Sequence, residues 1–214
     1  MRYLYPPRPK GVMPPGNLPA YEKTGQWVVQ LKFNGTRTVI QVTPEGTVNF
    51  FNRHDEQHKQ FVPSKEIMRE VLSLDLVKGK EHWLDGELLR NKTTDLRYKE
   101  RIVLFDVLML DGRYLFGSPN QMVRLDILRR ICRNPQVLEP ANGIALKATE
   151  HLWMAETWDH DFVQHFNQHL TTDEIEGVVL RKKSSIIDHI GTKEYEINWL
   201  IRCRKPHSSG SYNF

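Results

Sequence analysis

Lys32 is the residue whose surroundings point most directly to a reaction. It lies in the segment QLKFNGTR, three residues before Gly35. A lysine amine attacks phosphorus only in its neutral form, which burial and nearby cations favour. A glycine allows the backbone to approach a phosphate closely. The segment therefore indicates a lysine nucleophile beside a phosphate, although a lysine at a strand end next to a turn is the ordinary structural interpretation.

Three carboxylates lie in apolar segments. Asp85 and Glu87 occupy alternate positions of LDGELL and share one face of a predicted strand, and Glu176 begins the strand IEGVV. A buried carboxylate is costly unless it is paired or bound to a metal. Mg²⁺ takes one or two protein carboxylates together with phosphate oxygens. The segments thus favour a magnesium–phosphate site, and the alternative is a strand that ends in a solvated turn.

An aromatic residue and a basic cluster complete the set of candidates. Phe105 in FDVLMLDG offers a ring face on which a purine can stack. Arg202, Arg204 and Lys205 form a basic cluster suited to triphosphate or nucleic-acid phosphates. A core phenylalanine and a solvated basic face are the structural alternatives.

Apolar patterns predict the elements that must position these residues. The strands form a hairpin from Gln26 to Phe51 and four later strands, which are HWLDGELL, RIVLFDVLML, IEGVVLRKK and INWLIRCRK. One helix is capped by Ser64, with Ile67, Met68, Val71 and Leu72 on its apolar face. A second has Pro119 in its first turn and Leu125, Leu128 and Cys132 on one face. A third is capped by Thr157 and carries Trp158, Phe162, Phe166 and Leu170. This is an α+β pattern dominated by antiparallel sheet.

Composition fits one globular domain of 214 residues with 39% hydrophobic and 26% charged residues. Residues 1–20 hold six of the twelve prolines, which predicts an extended N-terminal arm without regular structure. We expect the domain to span residues 21–206 and residues 207–214 to form a flexible tail. Two cysteines outside any CxxC pair favour a reducing, cytoplasmic environment, and no apolar run suits a membrane. The net charge of +4 permits a polyanionic partner.

The order of these segments resembles the covalent nucleotidyltransferases, which comprise ATP-dependent DNA ligases, RNA ligases and mRNA capping enzymes. Their blocks run KxDGxR, a serine–arginine pair, DGE, FDxLxxDG, EGvV or DGvI, and KxK. The corresponding segments here are Lys32 to Arg37 (KFNGTR), Asn52 and Arg53 (NR), Asp85 to Glu87 (DGE), Phe105 to Gly112 (FDVLMLDG), Glu176 to Arg181 (EGVVLR), and Arg202 to Lys205 (RCRK). The six segments follow the family's order over nearly the whole chain.

The resemblance implies a fold and a role for each matched residue. The fold would be an ATP-grasp-like nucleotidyltransferase domain of two packed, mainly antiparallel sheets flanked by helices. No OB-fold domain is expected, although most of these ligases and capping enzymes continue into one, because the last matched segment lies close to residue 214. The implied catalytic residues are Lys32, Arg204 and Lys205, and the implied metal ligands are Glu87 and Glu176. The implied nucleotide-binding residues are Gln30, Leu31, Arg37, Arg53, Glu87, Phe105, Val178, Arg181 and Arg202.

The chain departs from the family pattern at several of these positions. Asn34 replaces the usual aspartate, Asn52 replaces the serine, and Arg202 and Arg204 replace two lysines. An asparagine still forms hydrogen bonds but carries no charge, and arginine binds phosphate without serving as a proton donor near neutral pH.

The resemblance implies an ATP-dependent polynucleotide ligase that uses ATP with Mg²⁺ or Mn²⁺. AMP would pass from ATP to Lys32 and then to a 5′-phosphate end, which a 3′-hydroxyl would seal. The partner is a nucleic acid, DNA or RNA, and the protein is expected to be a monomer without membrane contact. The single-domain size also resembles that of small viral ligases. The alternatives are a GTP-dependent capping guanylyltransferase and a non-catalytic nucleic-acid-binding relative.

Overall fold

The computed structural model describes residues 3–58, 61–89, 95–133, 138–189 and 191–206. Its strands form two sheets and are β1 (Arg8–Val12), β2 (Trp27–Phe33), β3 (Thr36–Val42), β4 (Val48–Phe51), β5 (His82–Leu89), β6 (Arg101–Leu110), β7 (Arg113–Tyr114), β8 (Glu139–Ala141), β9 (Ala145–Lys147), β10 (Leu152–Met154), β11 (Ile175–Lys182) and β12 (Glu196–Arg204). Its helices are α1 (Leu18–Lys23), α2 (Lys65–Ser73), α3 (Gln121–Arg133) and α4 (Phe162–Gln168), with a 3-10 turn at Pro15–Asn17. No helix within these described ranges is long and apolar enough to cross a membrane.

The two sheets are mainly antiparallel, as predicted. The smaller sheet has the order β1-β12-β11-β2, in which only the β1–β12 pair is parallel. The larger sheet has the order β4-β3-β5-β6-β10-β9-β8, with β7 paired to β6 and a parallel β6–β10 pair. The four later strands lie within one residue of the predicted segments at each end.

The packing of the core explains why the sequence of β6 is almost continuously apolar. Val103 packs with residues of the smaller sheet, such as Val29 and Val178, so the two sheets face each other across this cluster. Leu104, the next residue, lies in a second cluster with Leu128 of α3. Successive strand residues point to opposite faces, and both faces of β6 are therefore buried.

The predicted helices α2 and α3 are confirmed, except that α3 begins at Gln121 and Pro119 precedes it instead of lying in its first turn. The Ser64 hydroxyl accepts a hydrogen bond from the Ile67 amide (3.2 Å), which caps α2, and Ile67 and Val71 are buried. Leu72 is 47% exposed, so its predicted place on the apolar face is wrong. It follows Val71 by one residue, and a helical step of about 100° turns it away from the sheet.

The predicted start of α4 is wrong. The helix begins at Phe162 rather than near Thr157, because the backbone of Trp158 pairs with Val29 of β2 (N–O distances 2.8 and 3.0 Å). The Glu22 carboxylate of α1 accepts hydrogen bonds from the amides of Asp161 and Phe162 (2.7 and 3.0 Å). A distant carboxylate therefore satisfies the first amides of α4 in place of a local cap.

The expectation that residues 1–20 lack regular structure is also wrong. Arg8–Val12 form an edge strand, and α1 (Leu18–Lys23) begins before residue 20 and ends after it. An edge strand tolerates Pro9 because its missing amide hydrogen does not interrupt a central ladder. Tyr3 and Leu4 are buried against Trp83 of the larger sheet, so apolar burial fixes the segment. Residues 207–214, the predicted tail, lie outside the described residues.

Candidate active site

A cavity of about 600 Å³ opens between the two sheets. Its volume falls in the range of nucleotide-sized ligand sites. Residues of both sheets and of the N-terminal segment line it, namely Arg8, Pro9, Gln30, Leu31, Lys32, Phe33, Gly35, Thr36, Arg37, Asn52, Arg53, His54, Glu87, Phe105, Glu176, Val179, Arg181, Glu196, Leu200, Arg202 and Arg204. Seven of these residues are lysine or arginine and three are glutamate, so the lining favours an anionic ligand.

Lys32 lies near the end of β2, opposite Gly177 of β11. Its amine forms an ion pair with the Glu176 carboxylate, and both side chains are largely buried. Glu176 falls where the β11–β2 register shifts, and Gly177 has a φ of +136°. A Cβ atom on Gly177 would lie 2.1 Å from the Cys203 carbonyl oxygen. A glycine at this bulge therefore aims Glu176 at the lysine.

Glu87 lies on β5, directly opposite Arg37 of β3. Burial raises the pKa of its carboxyl to about 7, against the lowering effect of the Lys32 and Arg37 charges. A Cβ atom on Gly35 would lie 2.5 Å from the Leu88 carbonyl oxygen and 2.9 Å from the Glu87 Cγ. Close approach to β5 thus explains this glycine, where the sequence suggested close approach to a phosphate.

Two guanidinium groups lie near the Phe105 ring. The Arg37 and Arg181 Cζ atoms lie 5.4 and 5.3 Å from its ring centroid, within cation–π distance. Arg37 pairs with the Asp85 carboxylate (Nε–Oδ1 2.9 Å) and donates to the Pro7 carbonyl oxygen (2.9 Å). Phe105 is therefore fixed in orientation on the cavity wall.

Behind Phe105 lies a buried ionic network. The Asp106 carboxylate accepts from Arg124 Nε (2.9 Å), Arg181 Nη1 (3.1 Å) and the Val107 amide (2.9 Å). The Gln121 side-chain oxygen accepts from Arg124 Nη2 (2.9 Å). Burial alone would raise the pKa of the Asp106 carboxyl, but Arg124 and Arg181 hold it below its usual range. The network joins α3 to β6 and β11.

Gln30 gives the cavity a fixed polar group. It is 2% exposed, and its side-chain nitrogen donates to the Thr157 hydroxyl (2.8 Å). Val179 lies opposite Gln30 on β11 and also lines the cavity. An amide beside an apolar side chain can combine a hydrogen bond with packing against a flat base.

The remaining cations lie on β12. Arg204 Nε is 3.6 Å from the Glu176 carboxylate that also holds Lys32. Burial, together with the Arg204 charge, lowers the pKa of Arg202. The Arg202 Nε is buried and has no hydrogen-bond partner among the described residues. Such a group favours an anionic ligand, because an unpaired buried donor is costly.

The RNA ligase family model matches residues 25–197, most of the chain. The chain belongs to the RNA ligase family. The match covers Lys32, both wall carboxylates Glu87 and Glu176, and Phe105. No sequence among curated proteins matches.

Solved structures with a similar fold include DNA ligases and a ligase domain. The ligase domain of M. tuberculosis LigD has a TM-score of 0.60 at 19% identity, over 92% of this chain and 59% of that one. Mycobacterial DNA ligase D complexed with ATP has a TM-score of 0.62 at 18% identity, over 94% and 60%. The ATP-dependent DNA ligase of bacteriophage T7 in complex with ATP has a TM-score of 0.57 at 13% identity, over 94% and 68%. The chain thus spans about three-fifths of the mycobacterial ligase chains.

The cavity brings together most of the family's expected site residues. They are Gln30, Leu31, Lys32, Arg37, Arg53, Glu87, Phe105, Glu176, Arg181, Arg202 and Arg204. Val178 lies in the core instead, because the bulge at Gly177 turns Val179 toward the cavity. Lys205 follows Arg204 on the opposite face, and its amine donates to the Thr172 carbonyl oxygen (2.7 Å).

Asn34, which replaces the family's aspartate, also lies outside the cavity lining. Its side-chain nitrogen donates to the Asp173 carbonyl oxygen (3.0 Å). The amide therefore joins β2 to the turn before β11, a contact that a carboxylate could not make with a carbonyl oxygen.

Several site residues were not predicted from the sequence. Arg8, His54, Glu196 and Leu200 line the cavity, and Thr157 fixes Gln30. Arg8 and Thr157 belong to segments that were assigned to an arm and to a helix cap. Alternation along INWLIRCRK would have identified Leu200, since it shares a strand face with Arg202 and Arg204.

The cavity suits a divalent cation delivered with a nucleotide. No group of three or more His, Cys, Asp or Glu side chains able to hold a metal occurs in the part of the chain that the structure describes. Glu87 and Glu176 both line the cavity, and two carboxylates suffice for Mg²⁺ when phosphate oxygens and water complete its coordination. The residues present therefore fit the metal.

Proposed function

We propose that the protein is an ATP-dependent polynucleotide ligase that forms a covalent lysyl–AMP intermediate on Lys32. The observation that carries this proposal is the grouping of Lys32, Glu87, Phe105, Glu176 and six arginine side chains around one nucleotide-sized cavity. Membership of the RNA ligase family supports ligation, and two of the structural neighbours are complexes with ATP.

In the first step, the Lys32 nitrogen attacks the α-phosphorus of ATP. A nitrogen–phosphorus bond forms, the bond to the leaving oxygen breaks, and pyrophosphate departs. Glu176 holds the amine in the cavity, and Arg204 partly neutralises the same carboxylate. Attack requires the neutral amine, and the Glu176 carboxylate is placed to accept the proton that Lys32 loses.

The rest of the cavity positions the nucleotide. The Phe105 ring provides a stacking surface for the base, and Gln30 provides an amide for its edge. Arg37, Arg202 and Arg204 offset the charge on the phosphates. Glu87 and Glu176 would hold Mg²⁺, which supplies charge neutralisation at the phosphate oxygens.

The second and third steps use a nucleic acid. An oxygen of a 5′-phosphate attacks the phosphorus of lysyl–AMP, the nitrogen–phosphorus bond breaks, and Lys32 is regenerated. A 3′-hydroxyl then attacks the activated 5′-phosphate, forms the phosphodiester and releases AMP. We propose a 5′-phosphorylated strand and a 3′-hydroxyl strand as substrates, with DNA and RNA to be compared directly.

Intact-protein mass spectrometry after incubation with ATP and Mg²⁺ tests the first step. The wild-type protein should gain the mass of one AMP, and Lys32→Ala should gain none. Lys99→Ala, at an exposed lysine outside the cavity, is the matched control and should gain one AMP.

A parallel incubation with GTP tests nucleotide choice. Preferential addition of GMP would identify a guanylyltransferase instead. No adduct with either nucleotide, across Mg²⁺ and Mn²⁺, would show that the chain is a non-catalytic relative and would refute the proposal.

A further inference from the structure

Four side chains are linked at the end of the cavity formed by β1. Arg8 pairs with the Glu194 carboxylate, whose second oxygen lies 2.7 Å from His54 Nδ1. Arg53 Nε donates to His54 Nε2 (2.8 Å). The side chains of Arg8, Glu194 and His54 are 34%, 35% and 48% exposed, so solvent and solutes reach them.

The hydrogen bonds fix the direction of this linkage. His54 Nε2 accepts from Arg53, so the proton of a neutral imidazole lies on Nδ1 and is donated to Glu194. Among these four linked side chains, Glu194 is thus the single anion, and Arg8, His54 and Arg53 act as hydrogen-bond donors. The hydrogen bond with His54 lowers the pKa of Glu194, as does Arg8.

A carboxylate in this position has the chemistry of a substitute for phosphate. Glu194 offers one oxygen to Arg8 and the other to His54, and Glu196, which aligns with Arg8, is a second carboxylate at this end of the cavity. A phosphate group carries more charge and more acceptor oxygens than a carboxylate, and arginine binds it through two parallel hydrogen bonds. A phosphate can therefore replace Glu194 as the partner of Arg8.

We propose that Arg8 is a phosphate-binding residue of this site and that Glu194 is a resident counter-ion that the phosphate displaces. The inference rests on the proposed function for the identity of the phosphate compound. Arg8 contributes a positive charge to the cavity from a segment that precedes every motif of the family pattern.

The strand order separates this phosphate from the one that reacts. β1 and β2 are the outer strands of the four-stranded sheet and lie three strand spacings, or about 14 Å, apart. Arg8 also aligns with Glu196 at the start of β12, whereas Lys32 lies level with Arg204 at its end. The phosphate bound by Arg8 is therefore distinct from the α-phosphate attacked by Lys32. It belongs either to the far end of the ATP triphosphate or to the nucleic-acid strand.

Two substitutions test the proposal, one that removes a positive charge and one that removes a negative charge. Arg8→Gln removes the phosphate contact, and Glu194→Gln removes the competitor without changing its size. Lys10→Gln is the matched control on the same strand, and Glu139→Gln is the matched acidic control, since both residues are exposed and outside the cavity lining.

The first measurement is equilibrium binding by fluorescence anisotropy without ATP. The probe is a fluorescein-labelled nicked duplex with a 5′-phosphate at the nick, prepared as DNA and as RNA. A 5′-hydroxyl version separates contacts to the end from contacts to the backbone. The second measurement is the apparent KM for ATP in lysine adenylylation, which involves no nucleic acid.

Opposite shifts in the two variants support the proposal, and the measurement that shows them identifies the source of the phosphate. Arg8→Gln should weaken binding about fivefold and reduce the salt slope by about one. Glu194→Gln should strengthen binding about threefold, as expected for removal of an exposed competing ion pair.

The inference is overturned if both variants weaken binding equally, or if neither differs from its control in either measurement. Failure of the wild-type protein to form any adduct would refute the proposed function, while the binding measurement would still decide the role of Arg8.

Discussion

The buried carboxylate of Asp106 allows a quantitative test of the structure. Asp106→Asn keeps the size of the side chain but removes the charge that Arg124 and Arg181 share at 2.9 and 3.1 Å. Breaking a buried ion pair by removing one partner costs about 3–5 kcal/mol, because a charge is left uncompensated. Since a domain of this kind is stable by about 5–15 kcal/mol, the variant should lose a large fraction of its free energy of unfolding.

Urea unfolding followed by tryptophan fluorescence measures this loss. The signal is suitable because Trp199 lies 5.7 Å from the Arg124 guanidinium carbon. Asp126→Asn, at an exposed position of α3, is the matched control and should change stability by less than about 0.5 kcal/mol.

The pH dependence gives a second signature. The pKa of Asp106 is depressed in the folded protein, so its contribution is present above the unfolded pKa and is lost as pH falls through the folded value. The stability difference between wild type and variant should be constant above about pH 4 and should shrink below it. A loss under about 1 kcal/mol at neutral pH, or one equal to that of Asp126→Asn, would refute the paired geometry.

Two further substitutions test the walls of the cavity. Gly177→Ala should abolish lysine adenylylation and lower the Tm by more than Gly25→Ala, because its Cβ would meet the Cys203 carbonyl oxygen at 2.1 Å whereas Gly25 faces open space; an active, stable variant would contradict the bulge. Glu87→Gln should flatten the decline in Tm between about pH 4.5 and 7, because the pKa of Glu87 is raised to about 7 and its stabilising protonated form is lost as pH rises through that value. If the wild-type protein and Glu87→Gln have the same dependence of Tm on pH, Glu87 does not titrate between about pH 4.5 and 7.

The strands β2 to β6, β11 and β12 and most of the site residues could be predicted because their signals are local, whereas β1 and the short strands β7 to β10 were not predicted. The apolar runs of β5, β6 and β11 determine strand positions within a few residues. The alternation of charged residues with apolar ones then indicates which side chains leave the core. Lys32 and Glu176 are 144 residues apart in sequence, and only the family's motif order indicated that they would meet.

The failures arise where a distant contact overrides a local pattern. α4 begins at Phe162, and the Glu22 carboxylate accepts hydrogen bonds from the amides at its start. Thr157, five residues earlier, therefore caps no helix. The bulge at Gly177 shifts the alternation of β11 by one residue, which exchanges Val178 for Val179 in the cavity. A register shift of one residue reverses the face of every later side chain, and it leaves no composition signal.

The pairing of β1 with β12 also constrains the order in which the protein folds. Arg8 aligns with Glu196, so the smaller sheet joins segments from nearly opposite parts of the sequence. Such long-range closure is slow relative to the formation of local hairpins. Until β12 pairs with β11, Glu176 lacks its contact with Arg204 and the site around Lys32 is incomplete. The adenylylation proposed for Lys32 therefore requires that β12 has docked against β11.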